Sequence, residues 1–319
     1  MKAVGIIGTG RHGSRYANHL VHDIPGFRLA AVSRRSAEGE LQAKQWGCRF
    51  HRNWPELVRD PAVEAVVGVV PPAMNPDIAR LCSEEGKPLL LEKPLAASLR
   101  GAEEIASLCA TQGLRLTVGQ TLRYNQVIRR LKEELHRVGV LHSFSADQRL
   151  EPSTLDWHHD QEQAGAGVSF HTAVHVFDAL RFITGLEPKR VMAVTARHSN
   201  TALEDLLLVI LAMENGTLGM VDCSRVGKAR SGRYEFVGSE GQLHGDQIHN
   251  RLEMIRGTDI IPLETGEPQN TIVPLLKDWR DYLAGTGPNP VPVSEGLAAV
   301  RLCEASLESA RTGRWMHIG

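Results

Sequence analysis

Lys2-Ala3-Val4-Gly5-Ile6-Ile7-Gly8-Thr9-Gly10-Arg11-His12-Gly13 is the stretch on which the fold turns. A short apolar run ends in Gly-x-Gly-x-x-Gly, and residues 11–22 then take helical spacing. The chain returns to a second apolar run at 27–33, so strand, glycine turn, helix and strand fit within about 30 residues, the dinucleotide-binding unit. Each glycine has a separate task. Gly8 allows the tight turn, Gly10 removes the side chain that would block a pyrophosphate, and Gly13 lets the helix pack on the strand. Thr9, Arg11 and His12 complete the loop, whose helix N-terminus offers backbone N–H groups to phosphates. The spelling alone is common; the strand before it and the helix after it carry the reading. A glycine-rich turn without a ligand is the alternative.

Outward from that unit the alternation continues. Residues 37–46 read as a helix, 65–70 as a buried strand, 76–85 as a helix, 88–91 as extended, 99–111 as a helix and 114–118 as a strand. Short, nearly all-apolar strands separated by helices predict a doubly wound parallel sheet covered on both faces, a Rossmann domain. Beyond it the pattern changes. A basic helix at 125–137 and an alternating run at 141–150 lead to a helix at 170–184. Extended runs then follow at 191–197, 206–213, 217–223, 233–237 and 260–263. Asn215-Gly216 reads as a hairpin turn. Helices at 272–283 and 295–311, separated by a loop at 285–292, complete the pattern. These features predict an α+β domain on a large, mostly antiparallel open sheet. The boundary is placed near Thr121, giving 1–121 as the dinucleotide-binding domain and 122–319 as the substrate-binding and oligomerisation domain.

Composition narrows the function classes. The 319 residues carry 36 Lys plus Arg against 37 Asp plus Glu, a formal net charge of −1. No basic excess suits nucleic acid, and no basic amphipathic block suits a membrane surface. No apolar stretch approaches the roughly 20 residues that span a bilayer. The cysteines (Cys48, Cys82, Cys109, Cys223 and Cys303) include no CxxC pair, which fits reduced thiols and a cytoplasmic location. Partners are therefore sought among small molecules.

The end of the second strand discriminates between cofactors. An NAD site usually places a carboxylate there for the ribose hydroxyls. Here the residues are Ser33-Arg34-Arg35. A hydroxyl and guanidinium groups suit a 2′-phosphate, so NADP(H) is expected. The alternative keeps NAD(H), with the arginines solvated.

Glu92-Lys93-Pro94 follows the apolar run 88–91, at the sheet edge where open parallel sheets bind ligands. A lysine there suits proton transfer next to a cationic nicotinamide. Pro94 makes a cis peptide accessible at that point. A surface lysine at a strand end is the alternative.

The chain resembles the glucose–fructose oxidoreductase and inositol dehydrogenase family (Gfo/Idh/MocA). The residues that carry the likeness are the Gly8–Gly13 loop, the run Val69-Val70-Pro71-Pro72, the block Gly86-Lys87-Pro88-Leu89-Leu90-Leu91-Glu92-Lys93-Pro94, and the glycine-rich loop 164–167 before a helix with His171, His175 and Asp178. The resemblance implies that Val70, Pro71, Pro72, Asn75, Glu92 and Lys93 border the cofactor. It also implies that Lys93 and His175 handle a hydroxyl proton while hydride passes to the nicotinamide. The family's usual Asp four residues before the histidine is His171 here, and a histidine common after the paired prolines gives way to Asn75. His171, His175 and Asp178 are spaced i, i+4, i+7, one face of an α-helix. Imidazole relays a proton or bonds a hydroxyl but adds no fixed negative charge. Arg123 and Tyr124 fall where the family places a residue facing the site; packing at the domain junction is the alternative. Trp157, beside His158, is suited to stack on a sugar face, or to a core role.

His158, His159, His171 and His175, with Asp156 and Asp160, raise the question of metal. His171-Thr172-Ala173-Val174-His175 lacks the Glu of HExxH, and the resemblance implies no metal. The leading expectation is reversible oxidation of a secondary hydroxyl on a sugar, cyclitol or related polyol. A redox-neutral enzyme that recycles its cofactor, and a non-catalytic dinucleotide sensor, are the alternatives. The resemblance further implies a homodimer or homotetramer built on the open face of the late sheet.

Overall fold

The computed structural model describes residues 1–199 and 202–319. The chain divides into two compact units, Met1–Gln120 with Thr271–Leu297, and Thr121–Asn270 with Ala298–Gly319.

In the first unit, β1 (Lys2–Ile7), α1 (Arg11–His22), β2 (Phe27–Ser33), α2 (Glu38–Trp46), β3 (Arg49–His51), α3 (Trp54–Arg59), β4 (Ala65–Gly68), α4 (Asn75–Glu84), β5 (Leu89–Glu92), α5 (Leu99–Gln112) and β6 (Leu116–Gly119) follow one another. The strands form one parallel sheet in the order β3-β2-β1-β4-β5-β6. The order reverses at β1, which puts the glycine turn at the crevice where such sheets bind ligands. Central strands are apolar on both faces because helices cover both. Val4, Ile6, Val66, Val67 and Leu89 to Leu91 are all sealed from solvent.

The sequence predicts a single cut near 121, and the structure differs. Residues 271–297 return to the first unit. The helix Ile272–Ala284 buries Trp279 completely, with its ring 5.2 Å from Phe27 of β2. Arg280 Nη1 donates to Pro25 O at 3.0 Å. Asn289 Nδ2 donates to Leu116 O at 2.7 Å, stitching the loop after the helix to β6. A hydrophobic face on a late helix announces burial but not against which sheet, so its partner was not legible from periodicity.

In the second unit, α6 (Gln126–Glu134), β7 (Leu141–Arg149), the short α7 (Gln161–Ala164) and α8 (Val174–Thr184) precede a run of strands. These are β8 (Pro188–Ala196), β9 (Leu206–Met213), β10 (Leu218–Ser224), β11 (Ser231–Gly238), β12 (Gly241–Asp246), β13 (Arg251–Arg256), β14 (Asp259–Pro262) and, after the long helix Val293–Thr312, β15 (Met316–His317). They form a nine-stranded sheet in the order β14-β13-β12-β11-β7-β10-β9-β8-β15. Every pairing is antiparallel except β7 with β10. Gly216 sits at φ +89° in the expected β9–β10 hairpin. β12 and β13 were not predicted: Gly-Gln-Leu-His-Gly-Asp is polar and glycine-bearing, and only its neighbours make it a strand.

One face of this sheet is covered and the other is open. On β9, Val209 and Leu211 are buried while Leu208 and Ile210 are exposed; on β10, Met220 is 60% exposed. Among the described residues, no helix is long and apolar enough to cross a membrane.

Candidate functional site

The glycine turn is built as its spacing requires. Gly8 lies at φ +88°, and a Cβ on Gly13 would stand 1.8 Å from Gly8 O, so neither position admits a side chain. Gly10 is different: its Cβ would meet nothing within 4 Å. Glycine there leaves an open cradle above the turn, at the N-terminus of α1, which no side chain caps. By position, the first N–H groups of α1 have no intrahelical acceptor. An uncapped helix start beneath open space fits a dinucleotide pyrophosphate. Gly10→Val should therefore keep the fold and weaken dinucleotide binding by at least about tenfold, read by titrating the nicotinamide fluorescence of the reduced cofactor.

Around the cradle, Thr9 is sealed from solvent, and its Oγ1 donates to Gln42 Oε1 at 2.7 Å. Ser33, at the end of β2, is buried and its carbonyl accepts from Gly8 N at 2.9 Å. Arg34 folds back: Nη1 donates to Thr9 O at 2.8 Å and to Gln42 Oε1 at 3.3 Å, and the guanidinium pairs with Glu38. Arg35 and Arg11 are exposed. Of the two arginines expected at a 2′-phosphate, Arg34 thus buttresses the loop and Arg35 is the one projecting into solvent.

At the next sheet edge, Val70 and Pro71 are half-buried and Pro72 is buried. Asn75 is buried, and its Nδ2 donates to Pro94 O at 3.2 Å and Leu95 O at 3.1 Å. Its amide therefore clamps the loop that follows Lys93. Asn75 Oδ1 has no hydrogen-bond partner among the described residues and remains as an acceptor. The Lys93–Pro94 peptide is cis.

Glu92 organises this edge in a way the sequence reading missed. Its buried Oε1 pairs with His12 Nε2 at 2.9 Å and accepts from Tyr16 Oη at 2.5 Å; Oε2 accepts from Lys93 N at 3.1 Å. Burial pushes this carboxyl up, but the His12 contact, the Tyr16 hydroxyl and the Lys93 charge outweigh it and hold the group below its usual range. The same burial, with Glu92 adjacent, raises the Tyr16 hydroxyl well above its ordinary value. An anion is thus fixed between the glycine loop and the lysine. The signal was present: His12 and Tyr16 are i, i+4 on α1.

In the second unit, the expected continuous helix at 170–184 begins instead as a π-helical turn, Ser169–Ala173, before α8. His171 lies in the wider turn and His175 in the α-helix, so simple α spacing does not relate them. π turns recur at functional sites. His171, 7% exposed, stacks on His158 with ring centres 3.8 Å apart and planes at 9°. Trp157 meets both rings edge-on, at 4.1 Å from His158 and 5.6 Å from His171. His175 is half-buried. Asp178, fully buried, receives Arg123 Nε at 2.8 Å and Nη2 at 2.6 Å. The Arg123 guanidinium also lies 5.2 Å from the Phe182 ring. Tyr124 is buried with Arg129 over its ring at 4.7 Å. Both residues make these contacts within the second unit, and Arg123 braces the helix that bears His175.

Burial pushes the Cys48 and Cys109 thiols up to about 11 and Cys82 to about 12, which keeps these thiols protonated at neutral pH. No group of three metal-ligating side chains converges among the described residues.

Residues 2–120 match the model of the Gfo/Idh/MocA oxidoreductase family, NAD-binding Rossmann fold, and residues 129–244 match that of the family's C-terminal domain. The chain is similar to scyllo-inositol 2-dehydrogenase (NAD(+)) of Bacillus subtilis, 26% identical over 275 residues, covering 81% of this chain and 79% of the relative. It is also similar to myo-inositol 2-dehydrogenase of Thermotoga maritima, 26% identical over 330 residues, covering 98% and 97%. Among solved structures, levoglucosan dehydrogenase in complex with NADH and levoglucosan matches with a TM-score of 0.91 at 19% identity over 99% of both chains, a likeness of fold. A glycine turn built for a pyrophosphate, on a parallel sheet followed by a large open one, thus meets both family models in register, and the chain belongs to the Gfo/Idh/MocA oxidoreductases.

Proposed function

We propose that this oxidoreductase reversibly oxidises a secondary hydroxyl of a sugar, cyclitol or related polyol, with NADP(H) favoured over NAD(H). The observation that carries the reading is the Glu92 carboxylate: it ties His12 of the dinucleotide loop to the strand end that bears Lys93, so cofactor cradle and lysine share one sheet edge. The inositol dehydrogenases among its relatives support the substrate class. Bound nicotinamide supplies the hydride acceptor in oxidation and the donor in reduction. In oxidation Lys93 Nζ takes the hydroxyl proton, with the fixed Glu92 anion favouring the protonated ammonium that results. His175 bonds the reacting oxygen and shares that proton. Ser33 and the exposed Arg35, with no carboxylate at the end of β2, support the preference for a 2′-phosphate.

The test is a panel of cyclitols and sugars with NADP⁺ or NAD⁺. We expect one equivalent of reduced cofactor per product, with kcat/KM at least about tenfold higher for NADP⁺. Equal or better use of NAD⁺ would reverse the cofactor preference. His171 in place of an Asp keeps a redox-neutral mechanism as the second reading; substrate conversion without net cofactor consumption is its signature. Binding without turnover of any compound would mark a sensor.

The open face of the nine-stranded sheet is assigned to a homodimer or homotetramer. Val194, Leu208, Ile210 and Met220 expose apolar surface there beside Arg149, paired with Asp222 at 2.5 Å. Light scattering at micromolar concentration should report a dimer or tetramer; a monomer removes the assignment. The unpaired cysteines support a cytoplasmic location.

A further inference from the structure

We propose that the second unit recognises an anionic group on its ligand, a carboxylate or phosphate on a small polyol, through Arg225. This rests on the preceding reading only in treating His171 as a substrate-side residue. A small pocket of about 40 Å³ is lined by His158, His159, His171, Glu204, Asp205 and Arg225. Space of that size takes the charged end of a ligand and leaves its body outside. Arg225 directly follows β10, and its backbone N–H donates to Asp205 O at 2.8 Å, which sets the residue in the pocket wall. Its Nε is sealed from solvent and has no hydrogen-bond partner among the described residues.

The carboxylates nearby are committed elsewhere. Both oxygens of Glu151 take Arg230 Nε, at 3.0 and 2.7 Å. Asp205 accepts from the backbone N–H of His198 at 2.9 and 3.0 Å and of Ser199 at 2.7 Å. Glu204 Oε1 accepts from Ser169 N at 3.1 Å and Ser169 Oγ at 2.5 Å. Burial lowers the Arg225 pKa, Glu151 opposes that shift, and the neighbouring Arg230 adds to it. A part-buried cation without a dedicated counter-charge costs stability unless a ligand brings one. A guanidinium matches a carboxylate or phosphate through two parallel hydrogen bonds, and a neutral polyol offers no such compensation. The stacked His158 and His171 rings, edged by Trp157, supply a polar, planar wall beside it for hydroxyl groups.

Calorimetry on the full chain decides the matter, because binding is read whether or not hydride transfer occurs. The probes are D-gluconate and D-glucose 6-phosphate, against the neutral D-glucitol and D-glucose. We expect at least one anion to bind about tenfold or more tighter than its neutral analogue, and the winning arm tells carboxylate from phosphate. Arg225→Met should erase that margin, leave binding of the neutral compounds unchanged and leave the melting temperature undiminished; Arg225→Lys should keep part of it. Should Arg225→Met fail to fold, Arg225→Gln reads the same margin. Anions that bind no tighter than the neutral compounds, or a margin that survives in the variant, overturn the proposal. A chain that shows the margin yet never reduces NAD⁺ or NADP⁺ loses the dehydrogenase reading and keeps this one.

Discussion

Lys93→Met is expected to lower turnover by about 10²- to 10⁴-fold while dinucleotide affinity stays within about threefold of the unaltered chain. That loss corresponds to roughly 3–5 kcal/mol of transition-state stabilisation, the range of one positioned proton-transfer group. Methionine keeps the length and most of the volume of the side chain and removes only the ionisable amine. The backbone N–H of residue 93 still reaches Glu92 Oε2, so the strand end keeps its anchor. The His12 and Tyr16 contacts to Glu92 also survive, and with them the glycine cradle. Reduced-cofactor fluorescence should therefore titrate almost normally while steady-state turnover collapses. Intact turnover would remove Lys93 from the chemistry. A parallel loss of cofactor binding would instead make the lysine part of the dinucleotide site.

Arg123→Met should produce the largest loss of stability, about 3–5 kcal/mol. Asp178 is fully buried, and the Arg123 fork supplies its two short hydrogen bonds. Removing the guanidinium strips a buried carboxylate of two short hydrogen bonds and of that positive charge, which costs more than the pair itself contributes. Arg123→Lys should recover only part, because a single ammonium does not reproduce the planar fork. The double change Arg123→Met with Asp178→Leu should return close to the unaltered stability, since no charge is then stranded. Thermal melts of the three variants decide it, and they are read as melting temperatures because a chain of two units does not guarantee two-state unfolding. A single variant that melts like the parent would mean that Asp178 is protonated or solvated. Under the role proposed for His175, three residues before Asp178 on α8, the pair also bears on function. Loss of the brace should therefore raise KM and lower kcat together at temperatures where the variant is still folded.

What the sequence alone determined is local. Strand, glycine turn and helix are written in consecutive residues, so the cofactor unit, its glycine roles and the edge bearing Lys93 were legible before any coordinates. So were the alternating strands β9 and β10, because period-two burial shows in a single strand. The tertiary structure decided whatever depends on a partner far along the chain. Residues 271–297 belong with β2 and β6, across more than half of the sequence. Arg123 meets Asp178 across 55 positions, and Tyr16 and His12 meet Glu92 across 76 and 80. β12 and β13 are strands because their neighbours hydrogen-bond them, in spite of polar and glycine residues. The π turn that separates His171 from His175 leaves no trace in spacing. Propensity and periodicity record what a residue does with its nearest neighbours. A buried charge or an orphan strand edge is satisfied by whichever distant group the folded chain delivers, and that choice is made by packing.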